Sequence, residues 1–441
     1  MLKTFTKGGV HPPENKLSAA RAIETAALPT SVFIPLGQHI GAPATPTVKK
    51  GDRVKVGSKI GQPAGFVSAG IHSSVSGVVS KLDAAPDSSG YPKPGIFIDV
   101  EGDEWEEDID RTDTLISDFN IDGPAIIAKI SNAGIVGMGG ATFPTHVKLA
   151  PPPNSKAEIL LINGVECEPY LTADHRLMLE KSRETVVGIR LLMCALGVTK
   201  AAVGIENNKP DAIAAMRKAA TDGIEIVPLK VKYPQGGEKQ LIKAVTGREV
   251  PSGALPIAVG AVVSNVGTAF AVYEAVQKNK PLIERIVTVT GKSLAQPSNF
   301  RTRIGTPLSA LIVAAGGMPS NTGKIVCGGP MMGRAIASAE MPVTKGTSGI
   351  LLLDADESTR PQTLNCIRCA RCVEACPMSL EPYLLTAVSE KQLWERAENE
   401  NIMDCIECGS CSFTCPAARP LLDYIRLGKA TVGSIIRNRK K

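Results

Sequence analysis

Cys366-Ile-Arg-Cys369-Ala-Arg-Cys372-Val-Glu-Ala-Cys376-Pro377 and Cys405-Ile-Glu-Cys408-Gly-Ser-Cys411-Ser-Phe-Thr-Cys415-Pro416 repeat one spacing, C-x2-C-x2-C-x3-C-P, within fifty residues. Three thiolates two residues apart can wrap one face of an iron–sulfur cubane from a single tight loop, and the fourth, a helical turn on, points to a neighbouring site. The spacing therefore predicts two 4Fe-4S clusters with crossed ligation. Cys366, Cys369, Cys372 and Cys415 would hold one, and Cys405, Cys408, Cys411 and Cys376 the other. Disulfides are disfavoured in a reducing compartment, and structural zinc normally uses paired C-x2-C units rather than runs of four. All eight ligands are cysteine, so the expected role is one-electron transfer and no substrate activation.

Working outward, Leu380, Leu384, Leu385, Val388 and Leu393 recur near helical spacing between the runs, which predicts a small helical domain around the clusters. The remaining cysteines, Cys167, Cys194 and Cys327, are expected to be small buried residues. The chain has 441 residues, 43% of them hydrophobic, enough for several packed cores. A formal charge of +6, from 49 basic and 43 acidic residues, gives no footprint of a nucleic-acid binder. The first eleven residues carry no apolar run, so no secretory signal is expected and the chain should stay in the cytoplasm. The apolar stretch 256–276 is interrupted by Ser264, Asn265, Gly267 and Glu274, which predicts a buried strand and helix rather than a membrane span. Arg437, Arg439, Lys440 and Lys441 are expected to form a frayed, solvated basic end.

The middle of the chain must supply the electrons. Gly134-Ile-Val-Gly-Met-Gly-Gly-Ala-Thr-Phe-Pro-Thr-His-Val-Lys148 offers close backbone approach and exposed amides able to cradle a phosphate. It is not a Rossmann fingerprint, because Thr142 replaces the last glycine and the preceding 125–132 reads as helix. Residues 157–163 predict a buried strand running into Gly164-Val-Glu-Cys-Glu-Pro169, and 262–265 ends a second strand with polar groups; strand ends are where α/β folds bind ligands. Tyr233-Pro-Gln-Gly-Gly-Glu238 adds a glycine turn with an acid. No nucleophile or acid–base pair stands out, and His146 and His175 are expected to pack or hydrogen-bond.

The order of these fragments, with Gly8-Gly-Val-His-Pro-Pro-Glu14 and Leu171-Thr-Ala-Asp-His-Arg176, resembles the NADH- and FMN-binding flavoprotein subunit of respiratory complex I. It resembles more closely the RnfC family, the NADH-side subunits of the Rnf electron transport complex. The resemblance implies that Gly137, Gly139, Gly140 and Lys148 hold the FMN phosphate and ring edge, with Asn163 and Glu166 on the flavin. It puts Phe143 and Glu168 on the nicotinamide side, Tyr233, Gly236 and Glu238 along the shared cleft, and Ser264, Asn265 and Thr268 at the flavin phosphate. Val165, Gly237 and Ser264 depart from the complex I pattern of Asp, Glu and Asn. Glu166 and Glu168, if near a ribose, would favour NAD over NADP.

The implied fold is a multidomain α/β protein. A barrel-sandwich-hybrid-like domain with its linker would fill 1–115, an FMN/NADH-binding α/β domain 116–278, a β-grasp (SLBB) module 279–340, and a helical ferredoxin-like domain with two 4Fe-4S clusters 341–441. Residues 48–82 resemble biotinyl and lipoyl carriers, yet the hairpin tip, Gly65-Phe-Val-Ser-Ala-Gly70, has no lysine to modify, which predicts a docking or structural role. The acidic 101–113 reads as a solvated linker. Ile286-Val-Thr-Val-Thr290 alternates like a strand. NAD(H) exchanges a hydride whereas a cluster takes one electron, so a flavin between them solves the counting problem. The family implies electron exchange between ferredoxin and NAD+ coupled to Na+ or H+ transport, with membrane-integral subunits and the ferredoxin-like RnfB as partners. It also implies a peripheral place on the cytoplasmic face of the cell membrane, and no nucleic acid. A cobalamin reductase of propanediol-utilising microcompartments shares several segments but differs at the N-terminus; a non-catalytic electron-wire subunit is the other alternative.

Overall fold

The computed structural model describes residues 2–87, 89–152 and 155–439. Lys440 and Lys441 of the basic end lie outside the described residues. Strand Ile159–Asn163, fully apolar until its last residue, pairs in parallel with Ala201–Glu206 on one side and Ala261–Asn265 on the other. Ile224–Leu229 completes the sheet beyond Ala201–Glu206. Chain order thus reverses across Ile159–Asn163: the second and third strands build outward on one flank, and the fourth returns to the other. Ligands of open α/β sheets bind at such a switch point, beyond the carboxyl ends of the strands. Asn163 and Asn265 are register partners at those ends. Helices Gly123–Asn132, Ser182–Leu196 and Val266–Gln277 bury apolar faces against the sheet in one core containing Ile126, Ile162, Leu191 and Val272. Both the expected helix at 125–132 and the strand–helix reading of 256–276 agree with this arrangement.

Two small antiparallel sheets near the N-terminus enclose Val32, Ile34, Ile60, Ile71, Val79, Ile96 and Ile98. A third unit is a six-stranded sheet in the order Ile23–Thr25, Ser298–Arg303, Glu284–Thr290, Gly349–Asp354, Thr322–Cys327, Arg334–Ile336. Its fourth strand lies beyond the expected boundary at 340/341. Ile350 and Leu352 are buried in the core of this sheet, so the segment belongs with it and not with the helical domain. The remainder is helical: Pro382–Glu390 and Leu421–Arg439 pack around Leu380, Leu385, Val388, Leu421 and Ile425, while Leu393 is exposed.

The acidic 101–113 is a strap rather than a free linker. Trp105 takes the guanidinium groups of Arg111 and Arg303 over its ring, each 4.7 Å from the centroid, and Asp110 pairs with Lys278 at 2.5 Å. Nor is the basic end frayed through Arg439, which stays helical and pairs with Glu398 at 2.8 Å. Among the described residues no helix is long and apolar enough to cross a membrane.

Candidate functional site

The glycine-rich loop is closed on itself by Gly137 N–H donating to Phe143 O at 2.8 Å and Thr145 N–H donating to Ile135 O at 3.1 Å. Met138 N–H donates to Thr268 Oγ1 at 2.9 Å, which pins the loop to the first turn of helix Val266–Gln277. Asn265 caps that helix through Oδ1, accepting from Gly267 N–H at 2.8 Å, and its amide reaches Asp174 at 2.7 Å. A side chain at 139 would crowd Asn265, with a Cβ 3.2 Å from Asn265 Cβ.

Loop and strand ends together enclose a cavity of about 810 Å³. Gly137, Gly139, Gly140, Phe143, Lys148, Asn163, Gly236, Glu238, Ser264, Asn265 and Thr268 line it, all expected from the sequence. So do residues the sequence reading missed: Thr145, Pro151, Pro152, Leu255, Ile257, and from the N-terminal barrel Ile40 and Phe66. Thr145 lies inside the quoted loop, where a hydroxyl beside glycines is a signal for phosphate. Lys148 Nζ donates to Glu238 Oε1 at 2.8 Å and Val263 O at 2.9 Å, leaving one ammonium proton for a ligand.

Three expected residues stand outside the lining. The Glu166 carboxylate accepts from Asp174 and His175 N–H at 2.7 and 3.1 Å, capping helix Ala173–Glu180. Glu168 accepts from Met331 and Met332 N–H at 3.1 and 2.8 Å, and burial raises its carboxyl to about 6. Tyr233 donates its hydroxyl to Cys408 O at 2.8 Å and lies 3.2 Å from Glu168 Oε1. These acids are engaged elsewhere, so the charge argument for NAD over NADP has no footing in the cavity. Lys16, also missed, donates to the carbonyls of Glu166, Glu168 and Leu171 at 2.7–2.8 Å and holds the whole turn. Val165 is fully buried beside Leu161, Leu229 and Leu241, where an aspartate would be stranded. His175 hydrogen-bonds Asp211 at 2.9 Å, whereas His146 Nδ1 is buried without a partner.

The turn that follows Tyr233 joins the cavity to the cysteines. Gly236 lines the cavity and accepts from Asn163 Nδ2 at 2.8 Å, while Tyr233, three residues earlier, rests on Cys408. The N-terminal Gly8–Val10 is wedged alongside: Gly9 N–H donates to Ala375 O at 2.9 Å and Val10 pairs with Tyr233. Gly8 has φ 66°, and a Cβ there would lie 2.4 Å from the Cys376 carbonyl.

Cys376 shares a cavity with Cys405, Cys408 and Cys411 rather than facing its own run. Burial, with the neighbouring thiols and Cys376 among them, pushes Cys405 up to about 11 and Cys411 up to about 12. Cys372 is in turn raised by burial and by Cys415. Four thiols this dry repel one another once ionised, so the set is at ease as thiolates only around a cationic core, as a cubane provides. Cys366 and Cys369 are exposed. Of the lone cysteines, Cys167 and Cys327 are partly buried, but Cys194, expected inside, is exposed. Among the described residues no group of three or more His, Cys, Asp or Glu is gathered to hold a single metal ion.

Comparison with known proteins adds relatives across the whole chain. It is 49% identical over 440 residues to a subunit of the proton-translocating ferredoxin:NAD(+) oxidoreductase complex of Clostridium ljungdahlii, covering 98% of this chain and 94% of that one. It is 46% identical to the corresponding subunit of the Na(+)-translocating ferredoxin:NAD(+) oxidoreductase complex of Acetobacterium woodii, covering 99% and 98%. The chain belongs to the RnfC family. Family models divide it in the expected order: "RnfC Barrel sandwich hybrid domain" over 4–103, "Nuo51 FMN-binding domain" over 130–274, "SLBB domain" over 286–335 and "4Fe-4S dicluster domain" over 359–419. The family thus brings an FMN domain and a two-cluster iron–sulfur domain to this chain. In fold it is similar to the NAD+-reducing NiFe-hydrogenase in the H2-reduced state, at TM-score 0.50 and 20% identity, covering 70% of this chain and 63% of that one.

The cavity fits FMN. Thr145 Oγ1 is a buried hydroxyl without a partner on its wall. Lys148 keeps a free proton for a phosphate, Gly140 has open space where a Cβ would project, and Val147, Ile257 and Val262 supply an apolar bed for a planar ring.

Proposed function

We propose that the chain is the NAD(H)-facing subunit of an ion-translocating ferredoxin:NAD+ oxidoreductase complex. The observation that carries this reading is the 810 Å³ cavity at the sheet's switch point, one turn of chain from a tyrosine seated on a cluster cysteine. Gly137, Gly139, Gly140, Lys148, Asn163, Ser264, Asn265 and Thr268 would hold FMN, and Phe143, Gly236 and Glu238 would border the entering dinucleotide. FMN, when bound, supplies the exchange between a hydride and single electrons. Lys148, half-neutralised by Glu238, offsets phosphate charge; the apolar walls exclude water from the reacting rings. Cys376, Cys405, Cys408 and Cys411 would hold the cluster nearer the cavity, and Cys366, Cys369, Cys372 and Cys415 the outer one. Tyr233 fixes the distance between the flavin turn and the inner cluster.

Exposed Cys366 and Cys369 would put the outer cluster within reach of a ferredoxin-like partner subunit. With no membrane-spanning helix among the described residues, attachment to the cytoplasmic face would come through membrane-integral partners, whose Na+ or H+ transport the electron flow drives. The cobalamin reductase reading is not favoured, because 4–103 matches the barrel of the RnfC family. The test is anaerobic purification, reconstitution with iron, sulfide and FMN, and addition of NADH. Bleaching of flavin absorbance with reduction of an artificial acceptor is expected; intact clusters without flavin-dependent NADH oxidation would refute the assignment.

A further inference from the structure

The carrier-like hairpin of the barrel has no lysine at its tip, yet it is built firmly into the nucleotide cavity. Phe66, at that tip, lines the cavity and is 73% exposed, while Ser68 and Ala69 directly behind it are fully buried. An aromatic ring left to solvent on so rigid a base has an unmet partner. The base is fixed by Ser68 Oγ, which accepts from Ala64 N–H at 3.1 Å and donates to Ala42 O at 2.8 Å, and by Ala42 N–H on Val67 O at 3.0 Å.

Two further bridges register the hairpin against the glycine-rich loop of the next domain. Ile40 N–H donates to Thr142 O at 3.4 Å. Lys345, 1% exposed, donates to Gly70 O at the hairpin's foot and to Gly134 O at the start of the loop, each at 2.7 Å. The backbone that carries Phe66 is therefore fixed against the glycine-rich loop, and the residue stays on the cavity lining.

We infer that Phe66 is the stacking face for the adenine ring of the dinucleotide, an inference that rests on the proposed function. The nicotinamide must reach the flavin inside the cavity to pass a hydride, so the other end of the dinucleotide is left at the mouth. Phe66 and Ile40, 73% and 51% exposed, form that mouth. The cavity of about 810 Å³ has room beyond a single mononucleotide. A purine stacked on an aromatic side chain gains affinity without needing a hydrogen-bond code. The barrel is then a wall of the substrate site, and its carrier-like tip a specificity element for adenine dinucleotides over nicotinamide mononucleotide.

The experiment uses FMN-loaded full-length protein and two probes, ADP-ribose and nicotinamide mononucleotide, with binding followed by calorimetry and flavin content by absorbance. Phe66→Ala is expected to weaken ADP-ribose roughly tenfold, as the loss of one stacked base does. It should leave nicotinamide mononucleotide within about twofold, as expected for a contact made only by the adenine end, and Phe66→Tyr should restore ADP-ribose binding. Unchanged ADP-ribose affinity in Phe66→Ala, or equal weakening of both probes, overturns the inference while leaving the flavin assignment intact. Failure of the wild-type protein to retain FMN or to bind either probe instead defeats the underlying function.

Discussion

The flavin cavity and the cluster domain do related work with opposite construction. The cavity is assembled from the barrel, the glycine-rich loop, two strand ends and the turn at Gly236, and its walls are backbone and small or apolar groups. Its sheet is stabilised by an extensive core from Ile126 to Val276 that owes nothing to a ligand. The cluster domain concentrates its ligands in two short loops, and cysteines are part of its hydrophobic core: Cys411 is buried in it, with Cys372, Cys376, Cys405 and Cys415 packed against it. A scaffold with its own core can bind a cofactor; a domain whose core includes the ligands is completed by one.

The largest effect should therefore come from breaking that second case. Chelating iron under reducing conditions, or replacing Cys408 with Ser, is expected to unfold 359–439 and cost that unit about 5 kcal/mol, the full stability of a small domain. The α/β sheet should keep its own transition. Calorimetry checks this: the cluster-free protein should keep the transition of the α/β sheet and lose the unfolding heat of 359–439 that the loaded protein shows. A single unshifted transition in both would mean that Leu385, Ile425 and their neighbours suffice without metal.

The same contrast explains what is legible in the sequence. Cysteine spacing is local, so the two-cluster domain can be read from it, and so can strand 159–163 and the polar residue at its end. Phe66 cannot, because the glycine-rich loop that its hairpin meets at Thr142 lies far along the chain, and a carrier-like tip without lysine points to no chemistry of its own. Glu168 and Tyr233 are placed at the nucleotide by resemblance, whereas their hydrogen bonds run to Met331, Met332 and Cys408 across domain seams. Strand Gly349–Asp354 escapes for the same reason: both of its neighbours, Glu284–Thr290 and Thr322–Cys327, are distant in sequence. The acidic strap misleads because its charge is local and visible, but two of the cations over Trp105, Lys280 and Arg303, come from beyond it.

A smaller effect tests whether the cavity's walls are truly independent of its neighbours. Lys345 ties barrel to loop through two backbone carbonyls with no carboxylate partner among its contacts. Lys345→Ala should leave both carbonyls unpaired and cost about 2 kcal/mol, read as a lowered denaturation midpoint. FMN should be retained less well, since Gly134 begins the phosphate loop. If stability falls but flavin affinity does not, the loop's own bonds from Gly137 to Phe143 and from Met138 to Thr268 hold it without the barrel.

The smallest effect lies on the seam between the two regions. Glu168 is held above its usual range, to about 6, chiefly because burial disfavours its charge, while the N–H groups of Met331 and Met332 and the Tyr233 hydroxyl pull the other way. An unfolded glutamate titrates near 4.3. Between those values the folded chain keeps a proton the unfolded chain has lost, so this group's contribution is fully present below about 4.3 and lost as pH rises through about 6. Glu168→Gln cannot titrate, and its single amide oxygen keeps an acceptor for one of the Met331 and Met332 N–H groups, a loss that is the same at every pH. Denaturant midpoints across that window should fall with rising pH in the wild type and fall less in the variant, by at most about 2 kcal/mol at the upper end. Parallel profiles would mean that the seam does not sense the proton, and that Glu168 couples the SLBB sheet to Tyr233 by geometry alone.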